Sequence, residues 1–197
     1  LLAVMAKKTA TDGLPRYSAT RLQAELDLLP QWFGQQHLGR CFSPSEQVNW
    51  QLLCDQLIAS AEAQPQVFVH RDFHSCNLHQ LKNGSVGIID FQDAVLGPLS
   101  YDLVSWLWDR YISWPRSALE TWIEQARLVL APDISAAQWL RYCDFMALQR
   151  NLKIIGIFAR LHYRDNKSGY LAMTPRFIDY VLDLLPRYPE LGPASDW

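Results

Sequence analysis

Three polar side chains between positions 72 and 90 have the types and spacing that metal-assisted catalysis requires. Asp72 is followed five residues later by Asn77, and Asp90 closes the apolar run 86–89. A fixed carboxylate such as Asp72 can accept the proton of a substrate hydroxyl. The amide oxygen of Asn77 and the carboxylate of Asp90 are hard ligands of the kind that Mg²⁺ selects. The set predicts a metal-assisted reaction of a substrate hydroxyl, with Asp72 as the catalytic residue and Asn77 and Asp90 as metal ligands.

A short hairpin is predicted to bring the two metal ligands together. Asn83-Gly84 lies between residues 78–81, which begin and end with leucine, and the apolar run 86–89. An Asn-Gly pair between two such runs is a strong signal for a tight turn between antiparallel strands. The open end of this hairpin would hold Asn77 and Asp90.

The same residues resemble the catalytic loop of kinases. His70-Arg71-Asp72 with Asn77 matches the pattern H-R-D-x-x-x-x-N, and Asp90 lies where kinases have their second metal-binding aspartate. The sequence departs from protein kinases after Phe91, because glycine is missing there and no A-P-E segment follows. We interpret His70 as a structural residue that ties the loop backbone to its surroundings.

The segment G-P-L-S-Y-D-L at 97–103 points to a narrower group. It resembles the aminoglycoside phosphotransferase-like family of small-molecule kinases, in which such a segment opens a helix behind the catalytic loop. The resemblance implies that Asp102 supports that loop. A carboxylate that compensates the helix dipole explains Asp102 equally well.

Residues 12–33, the form I-I-D-F-Q-D-A of the metal strand, and residues 149–161 resemble the bacterial anomeric sugar kinases. These enzymes act on N-acetylmuramate and N-acetylglucosamine at C1 and serve peptidoglycan recycling. The resemblance implies ATP as co-substrate, Mg²⁺ as cofactor and an amino sugar as acceptor. It also implies an α+β, mainly α, fold: the helical C-terminal lobe of a kinase-like protein, with a small catalytic β-hairpin.

Candidate acceptor-binding residues come from the helical parts of the sequence. Glu25 and Asp27 could accept hydrogen bonds from sugar hydroxyls. Trp32 could stack on a pyranose ring or pack in the core. Asp93 could act beside the metal or accept a hydrogen bond from a substrate hydroxyl.

Three further polar residues interrupt an otherwise apolar helix. Arg150, Asn151 and Lys153 lie on a solvated face in one interpretation. In the other they meet the lactyl carboxylate of N-acetylmuramate, which a guanidinium can bind through two hydrogen bonds.

The whole chain, residues 1–197, is predicted to be one C-terminal lobe. It would comprise the catalytic loop at 67–94 and substrate-side helices at 18–62 and 136–185. No G-x-G-x-x-G motif is present, so we expect the N-terminal lobe to be absent from these residues and to be supplied by the same protein. The isolated lobe would then be nearly inactive.

Local signals define the helices more closely. We predict helices near 101–108, 116–130, 136–162 and 175–185, with Ser135 and Thr174 as N-caps. Residues 43–46 predict a capping box, and Pro30 is expected to kink or end the first helix. The helix after the capping box is expected to bury an apolar stripe, which comprises Val48, Leu52, Leu53 and Ile58.

Composition limits the classes of partner and the cellular location. A hydrophobic share of 49% can form a sizeable core, and a net charge of −2 gives no basic surface for nucleic acid or an anionic membrane. The four cysteines show no C-x-x-C spacing, which favours the reducing cytoplasm.

Two alternatives to an amino-sugar kinase remain at this point. One is a kinase of the same superfamily that acts on an aminoglycoside, choline or homoserine. The other is a non-catalytic, pseudokinase-type binding module, against which the presence of Asp72, Asn77 and Asp90 argues.

Overall fold

The structure is a computed structural model that describes residues 1–192. It is mainly helical, with 62% helix and 8% strand, in agreement with the predicted α+β class. The α-helices are α1 (Leu2–Lys8), α2 (Ala19–Leu26), α3 (Pro44–Glu62), α4 (Tyr101–Leu107), α5 (Arg116–Leu130), α6 (Ala136–Tyr163) and α7 (Thr174–Leu184). The strands are β1 (Gln66–Val69), β2 (Leu78–Gln80), β3 (Val86–Ile88) and β4 (Val95–Pro98). None of the helices formed by residues 1–192 has the length and apolar character that a membrane crossing would need.

The chain divides into two compact units. Unit 1 comprises Leu1–Tyr17 and Ala61–Met146, and unit 2 comprises Ser18–Ser60 and, within the described part of the chain, residues 147–192. The boundaries fall inside α3 and α6, so each of these helices contributes residues to both units.

Unit 1 contains two small antiparallel sheets. Strand β1 pairs with β4, with Val67 opposite Gly97, and β2 pairs with β3, with Leu78 opposite Ile88. The β2–β3 hairpin confirms the prediction from Asn-Gly: Gly84 adopts a φ of +80°, which costs glycine little. Strand β4 was not predicted.

The helices of unit 1 enclose its core. Arg116, at the start of α5, forms two hydrogen bonds of 2.7 Å with the carboxylate of Asp144 on α6, which is completely buried. This bidentate pair fixes the position of α5 against α6. The side chains that fill the core are mainly large and apolar, and they include Val69, Phe73, Val95, Tyr101, Val104, Trp108, Ile123, Trp139 and Met146.

In unit 2 the first helix ends earlier than Pro30. Helix α2 ends at Leu26, and a π-helix follows at Leu29–His37 with Pro30 in its first turn. Proline is tolerated in a first turn, because the N–H that it lacks would have no partner within the helix there. Gly156 of α6 lies against this junction: a Cβ atom at Gly156 would be 2.4 Å from the carbonyl carbon of Leu28.

Helix α3 begins with the predicted capping box. The backbone N–H of Ser43 donates to a Glu46 carboxylate oxygen at 2.8 Å, and the N–H of Glu46 donates to the Ser43 hydroxyl at 3.3 Å. The predicted apolar stripe is only partly right, because Val48 and Leu52 are exposed. The buried residues follow a 3.6-residue period instead, and they are Trp50, Leu53, Cys54, Leu57, Ile58 and Ala61.

The two predicted N-caps have different outcomes. The hydroxyl of Ser135 accepts a hydrogen bond from the N–H of Gln138 at 3.3 Å, which confirms Ser135 as the cap of α6. Thr174 is the first residue of α7 and not its cap, since a 3₁₀ turn ends at Met173 and passes directly into the helix. A chain that is already helical needs no side-chain cap at that point.

Candidate active site

A single buried carboxylate holds the backbone of the catalytic loop. Asp102, in the first turn of α4, accepts hydrogen bonds from the backbone N–H groups of His70 at 2.7 Å and Arg71 at 3.1 Å. An ionised carboxylate offers the strongest acceptors that a protein has for such N–H groups. The loop therefore leaves β1 with its first two residues fixed to α4.

The imidazole of His70 joins this loop to the end of the hairpin. His70 is buried, and its Nε2 atom lies 3.0 Å from the carbonyl oxygen of Ile89. Because a carbonyl oxygen only accepts, Nε2 carries the proton in this contact. Ile89 immediately precedes Asp90, so His70 connects the segment before Asp72 to the segment that carries Asp90.

Asn77 closes the catalytic loop from the other side. The side-chain Nδ2 of Asn77 donates a hydrogen bond to the backbone carbonyl of Asp72 at 2.9 Å. The backbone carbonyl of Asn77 accepts a hydrogen bond from the backbone N–H of Ile89 at 3.1 Å. The first bond orients the amide, and Oδ1 is then the atom that can act as a metal ligand. The second bond brings the backbone of Asn77 next to the residue that precedes Asp90.

Two residues of this region have strained backbones. Arg71 has a φ of +75° and Asp90 a φ of +71°, in the left-handed region that side chains other than glycine rarely adopt. Such conformations cost roughly 1–3 kcal/mol and occur mainly where the surrounding contacts impose them, often at functional sites. Here the strain lies directly before Asp72 and at Asp90 itself. The guanidinium of Arg71 lies over the ring of Tyr17, 5.3 Å from its centre.

The carboxylates of this region face solvent. Asp72, Asp90 and Asp93 are exposed, and Gln92 donates a hydrogen bond of 3.0 Å to Asp90. One amide oxygen and one carboxylate at adjoining hairpin ends fit the partial ligand set that Mg²⁺ takes from proteins, since it keeps water and phosphate oxygens at its other positions.

The sequence-predicted acceptor residues other than Asp93 lie in unit 2. Nζ of Lys153 lies 3.5 Å from a carboxylate oxygen of Glu25, so these two predicted residues are in contact. Asp27 is exposed and accepts a hydrogen bond from Gln23 at 2.8 Å. Trp32 is half-buried in the π-helix.

The interpretation of a solvated face on α6 is wrong. Arg150, Asn151 and Lys153 are 8%, 0% and 7% exposed. Within residues 1–192, neither atom of the Asn151 amide has a hydrogen-bond partner. Polar side chains in these buried positions require a reason other than solubility.

Sequence reasoning missed a second segment beside the catalytic loop. Arg110 donates to Nε2 of His74 at 3.2 Å, and Sγ of Cys76 lies 3.7 Å from the hydroxyl of Tyr111. These contacts bring Arg110 and Tyr111, in the segment 109–115, against the residues between Asp72 and Asn77. The concentration of aromatic side chains in D-R-Y-I-S-W-P was the available signal.

Comparison with known proteins gives relatives of one description. The chain is 40% identical over 188 residues to a protein of Pseudomonas putida, covering 93% of this chain and 55% of the relative. It is 41% identical over 194 residues to a protein of Neisseria meningitidis serogroup B, covering 95% and 58%. Both relatives bear the name N-acetylmuramate/N-acetylglucosamine kinase. The chain thus spans little more than half the length of these curated relatives.

The family profile described as "Phosphotransferase enzyme family" (APH) matches residues 2–140. This region includes Asp72, Asn77, Asp90 and Asp102, and it covers well over half of the sequence. The chain belongs to the phosphotransferase enzyme family.

Proposed function

We propose that this chain carries the catalytic loop of an ATP-dependent kinase that phosphorylates the anomeric hydroxyl of N-acetylmuramate and N-acetylglucosamine. The main support is the hydrogen-bonded arrangement of Asp72, Asn77 and Asp90, which is clamped by Asp102 and joined by His70. The names of the relatives support the choice of acceptor.

In this proposal Asp72 orients the anomeric hydroxyl and accepts its proton. The carboxylate is exposed, so a substrate can reach it, while the bonds to its backbone neighbours fix its position. Fixed geometry matters because phosphoryl transfer depends chiefly on positioning and on electrostatic stabilisation.

Asn77 and Asp90 would hold Mg²⁺ through Oδ1 and a carboxylate oxygen. When bound, the ion supplies positive charge that stabilises the transferred phosphoryl group. Asp93 follows three residues later on the exposed side of the same segment, where it would accept a hydrogen bond near the metal or from the acceptor.

The nucleotide requires contacts beyond those predicted here. The proposal includes an N-terminal lobe with a phosphate-covering loop and a phosphate-binding lysine, because the sequence lacks G-x-G-x-x-G and the relatives contain many residues outside the matched region. The chain would then be the C-terminal lobe, with its catalytic loop at 67–94.

The acceptor would be bound by the substrate-side helices at 18–62 and 136–185. Burial of Arg150, Asn151 and Lys153, and the contact of Lys153 with Glu25, support a role for α6 and α2 in a polar site. Asp27 and Trp32 complete the proposed set, as a hydroxyl acceptor and a stacking surface. The reaction would serve peptidoglycan recycling in the cytoplasm.

The test is ATP-dependent phosphorylation by the protein expressed from its complete reading frame. N-acetylmuramate, N-acetylglucosamine, kanamycin and choline are offered as acceptors. We expect an acid-labile sugar 1-phosphate from the two amino sugars. The variant Asp72→Asn should lower turnover about 10²–10⁴-fold, the range of general-base contributions.

The matched control is Asp133→Asn, which changes an exposed aspartate in the turn before α6. This variant should retain the activity of the wild type. Transfer to kanamycin or choline alone would reject the amino-sugar acceptor, and unchanged turnover of Asp72→Asn would reject the assigned role of Asp72.

A further inference from the structure

The segment 109–115 is held against the catalytic loop by side chains that no part of the proposed mechanism uses. The guanidinium of Arg110 donates a hydrogen bond to the ring of His74. The backbone N–H of His74 donates a hydrogen bond to the backbone carbonyl of Asp72 at 3.1 Å. Tyr111 reaches Cys76, the neighbour of Asn77. The segment is therefore anchored at two points between the proposed catalytic residue and a proposed metal ligand.

A local hydrogen bond also constrains the start of this segment. Asp109 is 5% exposed, and its carboxylate accepts a hydrogen bond of 2.6 Å from the backbone N–H of Tyr111. This bond closes a local turn around Arg110. A binding group that is held in place before the ligand arrives loses less conformational entropy when it binds.

Among the described residues 1–192, no carboxylate forms an ion pair with Arg110. Within that part of the chain its contacts are the hydrogen bond to His74 and a stacking contact with Tyr111, whose ring centre lies 5.6 Å away. Arg110 is half-exposed. A guanidinium fixed in this way presents its remaining N–H groups to an anion, and it matches the planar geometry of a carboxylate.

The neighbouring side chain suits a sugar. Tyr111 is 53% exposed, although its hydroxyl contacts Cys76 and its backbone N–H is bonded to Asp109. An exposed aromatic ring beside a cation offers an apolar face together with a polar edge. An acidic sugar needs both features.

We infer that Arg110 and Tyr111 form an acceptor-binding element that recognises an acidic sugar, with Arg110 binding its carboxylate. This inference rests on the proposed function and specifies its acceptor: N-acetylmuramate differs from N-acetylglucosamine by the lactyl carboxylate. In this inference Arg110 binds the lactyl carboxylate, a role that the sequence suggested for Arg150. Arg150 is buried, with 8% exposure. An ATP phosphate is the other anion that could bind the Arg110 guanidinium. The experiment distinguishes a sugar carboxylate from an ATP phosphate.

The experiment measures KM for each sugar and for ATP with the protein from its complete reading frame. Arg110→Gln should raise KM for N-acetylmuramate about tenfold or more, the usual contribution of a hydrogen bond to a charged group. KM for N-acetylglucosamine and for ATP should change less than about twofold, since neither involves the lactyl carboxylate. Arg110→Lys should restore part of the discrimination. The control Arg187→Gln removes a surface arginine that pairs with Asp183, and it should change no KM value.

Two results would overturn the inference: equal rises in KM for both sugars, or a rise confined to ATP. The proposed function is judged separately by the wild type, which must phosphorylate at least one of the two sugars. Calorimetric titration of Asp72→Asn with each sugar provides a second readout that does not require turnover. Arg110→Gln in that background should weaken N-acetylmuramate alone, and undiminished binding would again contradict the role of Arg110.

Discussion

At the residue scale, the carboxylate of Asp102 holds the first two residues of the catalytic loop. Its carboxylate satisfies the N–H groups of His70 and Arg71, and an unsatisfied buried N–H costs roughly 1–3 kcal/mol. We expect Asp102→Ala to lower the free energy of unfolding by about 2–4 kcal/mol and to increase hydrogen exchange at these two amides. Urea unfolding and amide exchange measured by NMR would test this.

The comparison for Asp102 is Asp133→Ala, which removes an exposed carboxylate of the same unit. Its effect should be within about 0.5 kcal/mol, as at most surface positions. If Asp102→Ala were equally mild, the two hydrogen bonds would not account for the conformation of the loop.

The positive φ of Asp90 leads to a second prediction at the residue scale. Because φ is +71° there, alanine should be strained and glycine should not, so Asp90→Gly should be more stable than Asp90→Ala by about 1 kcal/mol. Both variants lose the proposed metal ligand and should lose activity. Thermal or urea unfolding of the two variants provides the measurement.

Asp93 supplies the matched pair for this test. It is exposed like Asp90, but it does not have a positive φ. Glycine increases the entropy of the unfolded chain, so Asp93→Gly should be less stable than Asp93→Ala by about 0.4–1 kcal/mol. The same order at both positions would mean that strain at Asp90 does not control its stability.

At the element scale, Gly156 determines how closely α6 approaches the junction after α2. Alanine in a helix is normally more stable than glycine by about 1 kcal/mol. We expect Gly156→Ala instead to lower the free energy of unfolding by about 1–3 kcal/mol. The new Cβ would lie 2.4 Å from the carbonyl carbon of Leu28 and 2.6 Å from the backbone nitrogen of Leu29. Gly169, with no atom within 4 Å of a Cβ, is the control and should tolerate alanine. Stabilisation by Gly156→Ala in urea unfolding would contradict this packing.

Elements with strong local signals were predictable from the sequence. Helix α5 matches the predicted range, and α6 extends one residue beyond it, because long apolar periods and the Ser135 cap are local features. Strand β4 was missed because Gly97-Pro98 is typical of a turn or loop. The strand forms by pairing with β1, about 30 positions away in the sequence. Long-range pairing of this kind leaves little trace in the strand itself.

The candidate site shows the same division. The residue types and spacing of Asp72, Asn77 and Asp90 could be recognised from the sequence, and so could the hairpin that joins them. The strained φ values and the contacts of residues 109–115 with the loop could not, because both depend on tertiary packing. Burial of Arg150 and Lys153 likewise depends on neighbours distant in sequence.

At the scale of the whole molecule, each unit contains one buried thiol. Cys143 lies in unit 1 and Cys54 in unit 2, whereas Cys41 and Cys76 are exposed. We expect a thiol reagent to modify two cysteines rapidly in the native protein and all four in denaturant. Since α3 and α6 contribute residues to both units, Cys54 and Cys143 should become reactive at the same urea concentration, as mass spectrometry of labelled peptides would show. Separate midpoints would indicate that the units unfold independently.

Burial of Cys54 also makes stability depend on pH. Burial raises the pKa of its thiol to about 12, whereas the thiol in the unfolded chain titrates near 8.5. The folded state therefore holds this proton more tightly, and the resulting stabilisation is fully present below about pH 8.5 and is lost as the pH rises toward 12. We expect Cys54 to account for a loss of about 1–2 kcal/mol in the free energy of unfolding between pH 8 and pH 10.

Urea unfolding of the wild type and of Cys54→Ala at both pH values isolates the contribution of Cys54, because the other titrating groups are the same in the two proteins. The variant should lose less stability than the wild type over this interval, and equal losses would mean that the thiol of Cys54 is not shielded from water.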